Sequence, residues 1–200
     1  VRADIERHYW QLAFKELGET LSYSHSNAEQ YIKLIREHVI EPLEETPLSS
    51  SCYATCMMLF SCIDGLGKLL HSDDKAGAGV RFKYFLTEWM KGRYGELASE
   101  LYELRNSLLH NGIAPTAYMS MTEESRHEEI DYDNGFLYIN TKRFVKDFQA
   151  ALAEVEFALQ SNICVFESAN ARLLQVAIEN SNASNRLWKT TAPSATKFKL

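Results

Sequence analysis

Apolar residues recur along most of this chain at steps of three and four, the spacing of one face of an α-helix. The first such segment, Ala3 to Leu17, carries Ile5, Tyr9, Leu12, Ala13 and Leu17 in register. Ser26 or Asn27 supplies a cap for a second helix to about Glu41, with Tyr31, Ile32, Leu34, Ile35 and Val39 on its stripe. Pro42 and Pro47 then bracket a linker. The third helix, about Ser50 to Leu70, is the most apolar. Cys52, Cys56, Leu59, Ile63, Leu66 and Leu70 alternate steps of four and three, which predicts a face against a core. His71 to Gly79 reads as a flexible loop. A fourth helix follows over about Val80 to Met90, with Phe82, Phe85, Leu86 and Trp89 on it, and Gly92 ends it. A fifth starts near Tyr94 and runs through Leu97, Leu101, Leu104 and Leu108; Gly112 holds its C-terminal cap and Pro115 forbids continuation.

The period then changes. Glu129 to Tyr132 and Phe136 to Ile139 flank Asp133-Asn134-Gly135, and Asn-Gly between β-prone residues predicts a hairpin at about residues 128–140. Thr141 caps a long helix whose stripe is Phe144, Phe148, Leu152, Val155 and Leu159. Another helical stretch covers about Ile163 to Ile178. The pattern predicts an all-α bundle with one small β-hairpin, a single domain over residues 1–180, and a frayed tail over 181–200.

Composition narrows the class. With 200 residues, 46% hydrophobic and 24% charged, the chain can bury a sizeable core; it is neither intrinsically disordered nor a disulfide-dependent miniprotein. The longest apolar patch, Cys56 to Phe60, is interrupted at Ser61 and Asp64, short of the roughly 18 residues of a membrane span, so no membrane partner is expected. The charged start, Val1 to Arg7, is no signal peptide, and its lack of Met suggests a trimmed start. Four cysteines make no disulfide framework, and a cytoplasmic location is the expectation. Net charge is −6, from 21 basic and 27 acidic residues, so a polyanion can be bound only through a local patch.

Few residues suggest chemistry. Cys52, Cys56 and Cys62 lie on the third helix without zinc-ligand spacing and read as small core hydrophobes. Gly65-Leu66-Gly67 and Gly77-Ala78-Gly79 lack the strand-before, helix-after context of a phosphate loop. No HExxH or GxSxG string occurs, and no cofactor or metal is called for. His8, His25, His38, His71 and His127 fall in polar or loop surroundings. Asp64, on the flank of the third helix's stripe, either faces solvent or meets a cation.

One string stands apart: Arg105-Asn106-Ser107-Leu108-Leu109-His110, followed by Asn111-Gly112. At 100° per residue, Leu97, Leu101, Leu104 and Leu108 form the core stripe, while Ala98, Tyr102, Arg105 and Leu109 form a second one about 100° away. Such a helix faces its own core and something else. Asn106 and His110 share a face four residues apart, and His110 lies in the last turn, where the helix dipole favours a cation. An Arg, an amide and a His near a helix end suit a phosphate, since Arg offers a forked donor and His shuttles protons near neutral pH. The same string is also compatible with plain helix-termination chemistry.

Arg105-Asn106 followed by His110 resembles the Arg-polar, three to five residues, His signature of the HEPN superfamily (higher eukaryotes and prokaryotes nucleotide-binding). The Leu-rich helix before the motif, its position in a central helix and the long amphipathic helix after it are similar too. The resemblance implies an antiparallel HEPN-like bundle. It also implies a metal-independent endoribonuclease of toxin–antitoxin, abortive-infection or CRISPR defence systems, with both motif copies of a homodimer lining one cleft. Arg105 would hold the scissile phosphate, His110 would serve acid–base chemistry as the 2′-hydroxyl attacks, and Asn106 would orient His110 or the phosphate. The products would carry a 2′,3′-cyclic phosphate and a 5′-hydroxyl. Ala98, Tyr102 and Leu109 would lie at the dimer interface. Partners would be RNA, a second copy, and an antitoxin or other regulatory protein. Other members of the superfamily only bind nucleotides or act as non-catalytic modules, which is the rival expectation.

Lys75, Arg81, Lys83, Lys91 and Arg93, against Glu88 alone, lead into the motif helix and form the best RNA-facing patch, or else a solvated helix face. Glu123, Glu124, Glu128, Glu129, Asp131 and Asp133, against Arg126, are expected to point away from RNA or to compete for the basic surface.

Overall fold

The computed structural model describes residues 28–45, 52–112, 114–120 and 130–175. The elements are α1 (Ala28–Ile35), a π turn (Arg36–Ile40), α2 (Glu41–Glu45), α3 (Cys52–Leu70), α4 (Ala78–Phe85), a second π turn (Leu86–Met90), α5 (Gly92–Glu96), α6 (Ala98–Asn111), β1 (Ala117–Ser120), β2 (Asp131–Asp133), β3 (Phe136–Asn140) and α7 (Thr141–Ser161). A further helix covers 163–175. The fold is mostly helical with a small three-stranded sheet, and Ala28–Ala169 form one compact unit. The helix expected at Ala3 to Leu17, Pro47, the acidic run from Glu123 to Glu129 and the tail from Ser181 lie outside the described residues.

The linker expected at Pro42 is corrected: Pro42 sits inside a helix. A proline ring crowds the carbonyl four residues back and donates no N–H. The π turn just before it, closed by the Glu41 N–H on the Arg36 carbonyl, widens the backbone there and lets the helix continue.

α3 is the centre of the unit. Cys56, Leu59, Phe60, Ile63 and Leu66 have no exposed surface. Its buried set is broader than the predicted stripe, taking in Cys62 and Leu69, because α3 packs against α4, α6, α7 and β1 together. The expectation that no apolar run approaches a membrane span is corrected on length: α3 has 19 residues and a mean hydropathy of 1.2, with 50% of that stretch buried inside the chain. Aromatic rings tie the helices together. Phe60 meets Phe82 and Phe144, each at 5.7 Å between ring centroids, and Tyr94 stacks on Phe144 at 5.5 Å. The stripes predicted for the later helices are buried as expected: Leu97, Leu101, Leu104 and Leu108, and Phe144, Phe148, Leu152, Val155 and Leu159.

Three boundaries differ from expectation. The fourth helix ends at Lys91, whose φ is 59°, and Gly92 (φ 51°) opens α5 rather than closing the helix before it. The fifth helix is two, α5 and α6, broken at Leu97 (φ −99°, ψ 20°). Asn140, not Thr141, caps α7, its Oδ1 accepting from the Arg143 N–H at 3.2 Å. Thr141 is buried instead and donates to the Ser120 carbonyl at 2.9 Å, fastening β1 to the start of α7.

The hairpin is present as β2–β3, turning at Asn134 (φ 50°) and Gly135 (φ 83°), the two positive φ angles such a turn requires. It is not the whole sheet. β1 adds a parallel strand to β3, from Ala117 opposite Leu137 to Ser120 opposite Asn140, giving the order β1-β3-β2. Leu137 and Ile139 face the core, and the ring of Tyr138 lies 6.1 Å from that of Tyr118.

Candidate functional site

α6 brings the motif to the middle of the unit. Its core stripe packs inward and Gly112, in the left-handed region at φ 69°, ends it as predicted, with its N–H on the Leu108 carbonyl at 3.0 Å. Arg105 is turned not outward but towards α3. Its Nε donates to Asp64 Oδ2 at 2.8 Å, its Nη2 donates to the same oxygen, and its Nη1 donates to Asn106 Oδ1 at 2.9 Å. The Arg105 and Asp64 side chains are only 18% and 22% exposed, so this is a part-buried ion pair rather than a surface one. Asp64 therefore takes the cation-paired alternative. Burial pushes its carboxyl above the ordinary value, and the hydrogen bonds and charge of Arg105, with the charge of Arg81, pull it back only in part.

Around this pair stands a small aromatic and cationic cluster. Tyr102 packs on Phe82 at 5.5 Å; Arg105 Cζ lies 5.9 Å and Lys83 Nζ 5.8 Å from the Tyr102 ring centroid. Lys83 Nζ also donates to Ser99 Oγ at 3.1 Å. The structure thus gathers Arg81, Lys83, Tyr102, Arg105, Asn106 and Asp64 where α3, α4 and α6 meet. His110 is exposed in the last turn of α6 and, among the described residues, holds no side-chain hydrogen bond or ion pair. Asn106 engages Arg105, not His110.

The other basic residues go elsewhere. Lys91 pairs with Glu154 at 2.6 Å, and Arg93 with Glu96 at 2.9 Å and Asp131 at 2.6 Å. They line a cleft of about 240 Å³ together with Trp89, Ala150 and Ala151, where Arg143 and Asp147 also pair, at 2.8 Å. Asp131 of the acidic stretch thus competes for a basic residue, one of the two outcomes expected of it. Lys75 is exposed in the loop before α4, with its N–H on Asp73 Oδ1 at 2.8 Å. Of the five basic residues, Lys91 and Arg93 are drawn into ion pairs, while Lys83 stands beside Tyr102.

The second stripe of α6 is mixed in character. Leu109 is 37% exposed and Tyr102 half-buried, but Ala98 is 6% exposed and belongs to the chain's own core. Ala98 therefore offers little surface of its own to a second copy. Among the described residues no three His, Cys, Asp or Glu side chains gather as a metal-binding group. No family model, curated protein or solved structure matches the chain.

The sequence left Asp64 between solvent and a cation without naming the cation. The signal at Asp64 was a lone carboxylate within an apolar helix; its partner lies 41 residues away, a distance no local pattern reports.

Proposed function

We propose that this chain is a HEPN-type endoribonuclease, metal-independent and working as a homodimer in a prokaryotic toxin–antitoxin or phage-defence setting. The observation that carries the reading is the Arg105 guanidinium, held by Asp64 and Asn106 beside Tyr102 and Lys83, on the helix that ends with an uncommitted His110. A held guanidinium suits a phosphate whose charge grows as the RNA 2′-hydroxyl attacks it, because its stabilisation is larger in the transition state than in the ground state. His110, which among the described residues holds no side-chain hydrogen bond or ion pair, is available to move the proton. A second copy of α6, docked through Leu109 and Tyr102, brings a second Arg105 and His110 into the same cleft.

The rival reading is a non-catalytic RNA- or nucleotide-binding module. It is favoured by the pairing of Lys91 and Arg93 with acids, which shrinks the basic surface to Arg81, Lys83 and Lys75.

The test is incubation of purified protein with structured RNA in EDTA, followed by end-group analysis. The expected products carry 2′,3′-cyclic phosphate and 5′-hydroxyl ends. Arg105→Ala should slow cleavage by about 10²–10³-fold and His110→Ala by about 10²–10⁴-fold, both with helix content kept. Cleavage at the wild-type rate in both variants, or a chain that sediments as a monomer at tens of micromolar, overturns the reading.

A further inference from the structure

We infer that Asp64 is a positioning residue for Arg105, holding the Nε side of the guanidinium so that an N–H on each terminal nitrogen is kept for a phosphate. The inference rests on the phosphate-site reading above and adds to it a residue outside the motif. A guanidinium has five N–H donors. Nε, Nη1 and Nη2 each spend one, on Asp64, Asn106 and Asp64 in turn. One N–H therefore remains on Nη1 and one on Nη2, charge-assisted donors that phosphate oxygens can accept.

Two considerations separate positioning from a lock that the ligand must break. A phosphate that displaced Asp64 would leave a part-buried carboxylate without its partner, an unfavourable exchange. The free N–H groups make that exchange unnecessary. The negative charge of Asp64 does not empty the site of positive field either, because Arg81 acts on the same carboxylate and Lys83 Nζ lies 5.8 Å from the Tyr102 ring centroid. Arginine otherwise surrenders much rotamer freedom on binding; an anchored one has already given it up before the ligand arrives.

The experiment follows the Arg105 Nε–H resonance in the 15N-labelled full chain as uridine 3′-monophosphate is added. With positioning, the Nε–H stays protected from solvent while the terminal N–H signals shift. Asp64→Ala should weaken nucleotide binding about 10- to 100-fold, as loss of the groups that orient a metal ligand does, and expose the Nε–H. Asp64→Asn, whose amide oxygen still accepts, should fall between. Release of the Nε–H when nucleotide binds the wild-type chain overturns the inference, and decides alone if Asp64→Ala does not fold. So does an Asp64→Ala chain that binds as tightly as wild type, or a wild-type chain that binds no nucleotide at millimolar concentration. RNA cleavage is scored separately. The expected binding pattern without cleavage sinks the ribonuclease reading and keeps Asp64; cleavage by Asp64→Ala at the wild-type rate does the reverse.

Discussion

Gly67 on α3 lies directly against the backbone of Arg81 on α4: a Cβ at position 67 would fall 2.8 Å from the Arg81 carbonyl carbon and closer still to its oxygen. This contact sets how near the two helices run, and so how near Arg81 stands to Asp64, one turn before Gly67. Alanine at 67 would gain up to about 1 kcal/mol in helix propensity. The clash is with backbone, which cannot rotate away, and overpacking of this kind costs about 1–3 kcal/mol. Gly67→Ala should therefore lower the melting temperature. A variant that melts at or above wild type would mean that α3 and α4 separate freely.

The long helices were legible because each buries one continuous stripe: Leu97 to Leu108 and Phe144 to Leu159 follow the helical period without interruption. Asn134-Gly135 was legible because turn geometry demands those residues. β1 was not, since four residues are too few to show a period, and what makes them a strand is β3, reached across a stretch of chain. Pro42 misled because the breaking rule holds for a regular α-turn, and the π turn before it relaxes the clash. Arg105, Asn106 and His110 could be picked out as a string. Their arrangement could not, because the Arg105 partner, Asp64, sits on another helix whose packing had first to be known.

The cysteines should divide by accessibility. Burial pushes the Cys62 thiol up to about 12 and the Cys56 thiol higher, with the charge of Cys52 adding to the shift at Cys56. Neither forms a thiolate in the native chain at neutral pH. Cys164 is exposed. An aromatic disulfide reagent should modify Cys164 quickly in native protein, and Cys56 and Cys62 only after unfolding. Fast native reaction at Cys56 or Cys62 would show that α3 opens readily to solvent.

Stability should respond to pH through Asp64 in an unusual direction. Its carboxyl lies above the ordinary 3.8 in the folded chain, chiefly through burial. Below that ordinary value both states are protonated and the group contributes nothing. As pH rises, the unfolded chain loses this proton first, so the folded state binds more protons and stability falls across the window. Asp64→Asn removes that loss. Its stability relative to wild type should improve as pH rises from the ordinary carboxylate value of 3.8 towards neutrality, read from urea midpoints. A relative stability that declines over the same span would mean that Arg105 outweighs burial.

Lys83 and Lys91 are equivalent as sequence but not as structure. Lys83 Nζ lies 5.8 Å from the Tyr102 ring centroid and Arg105 Cζ 5.9 Å from it, whereas Lys91 Nζ is bound to Glu154 at 2.6 Å beside the cleft that Trp89 and Arg143 line. The Lys91 pair is more than half exposed on both sides, at 58% and 54%, and such pairs contribute about 0–1 kcal/mol. Neither reversal to Glu should unfold the chain. Their effects on RNA should differ. Removing one cation that neutralises a phosphate of a single strand lowers the slope of log affinity against log salt by about 0.7. Lys83→Glu should show a drop of that size or larger, with weaker binding at low salt, while Lys91→Glu stays close to the wild-type slope. Fluorescence anisotropy of a labelled RNA oligonucleotide across a salt series reads both. Equal reductions would place the RNA across both lysines, and a reduction confined to Lys91→Glu would move its path away from Arg105 altogether.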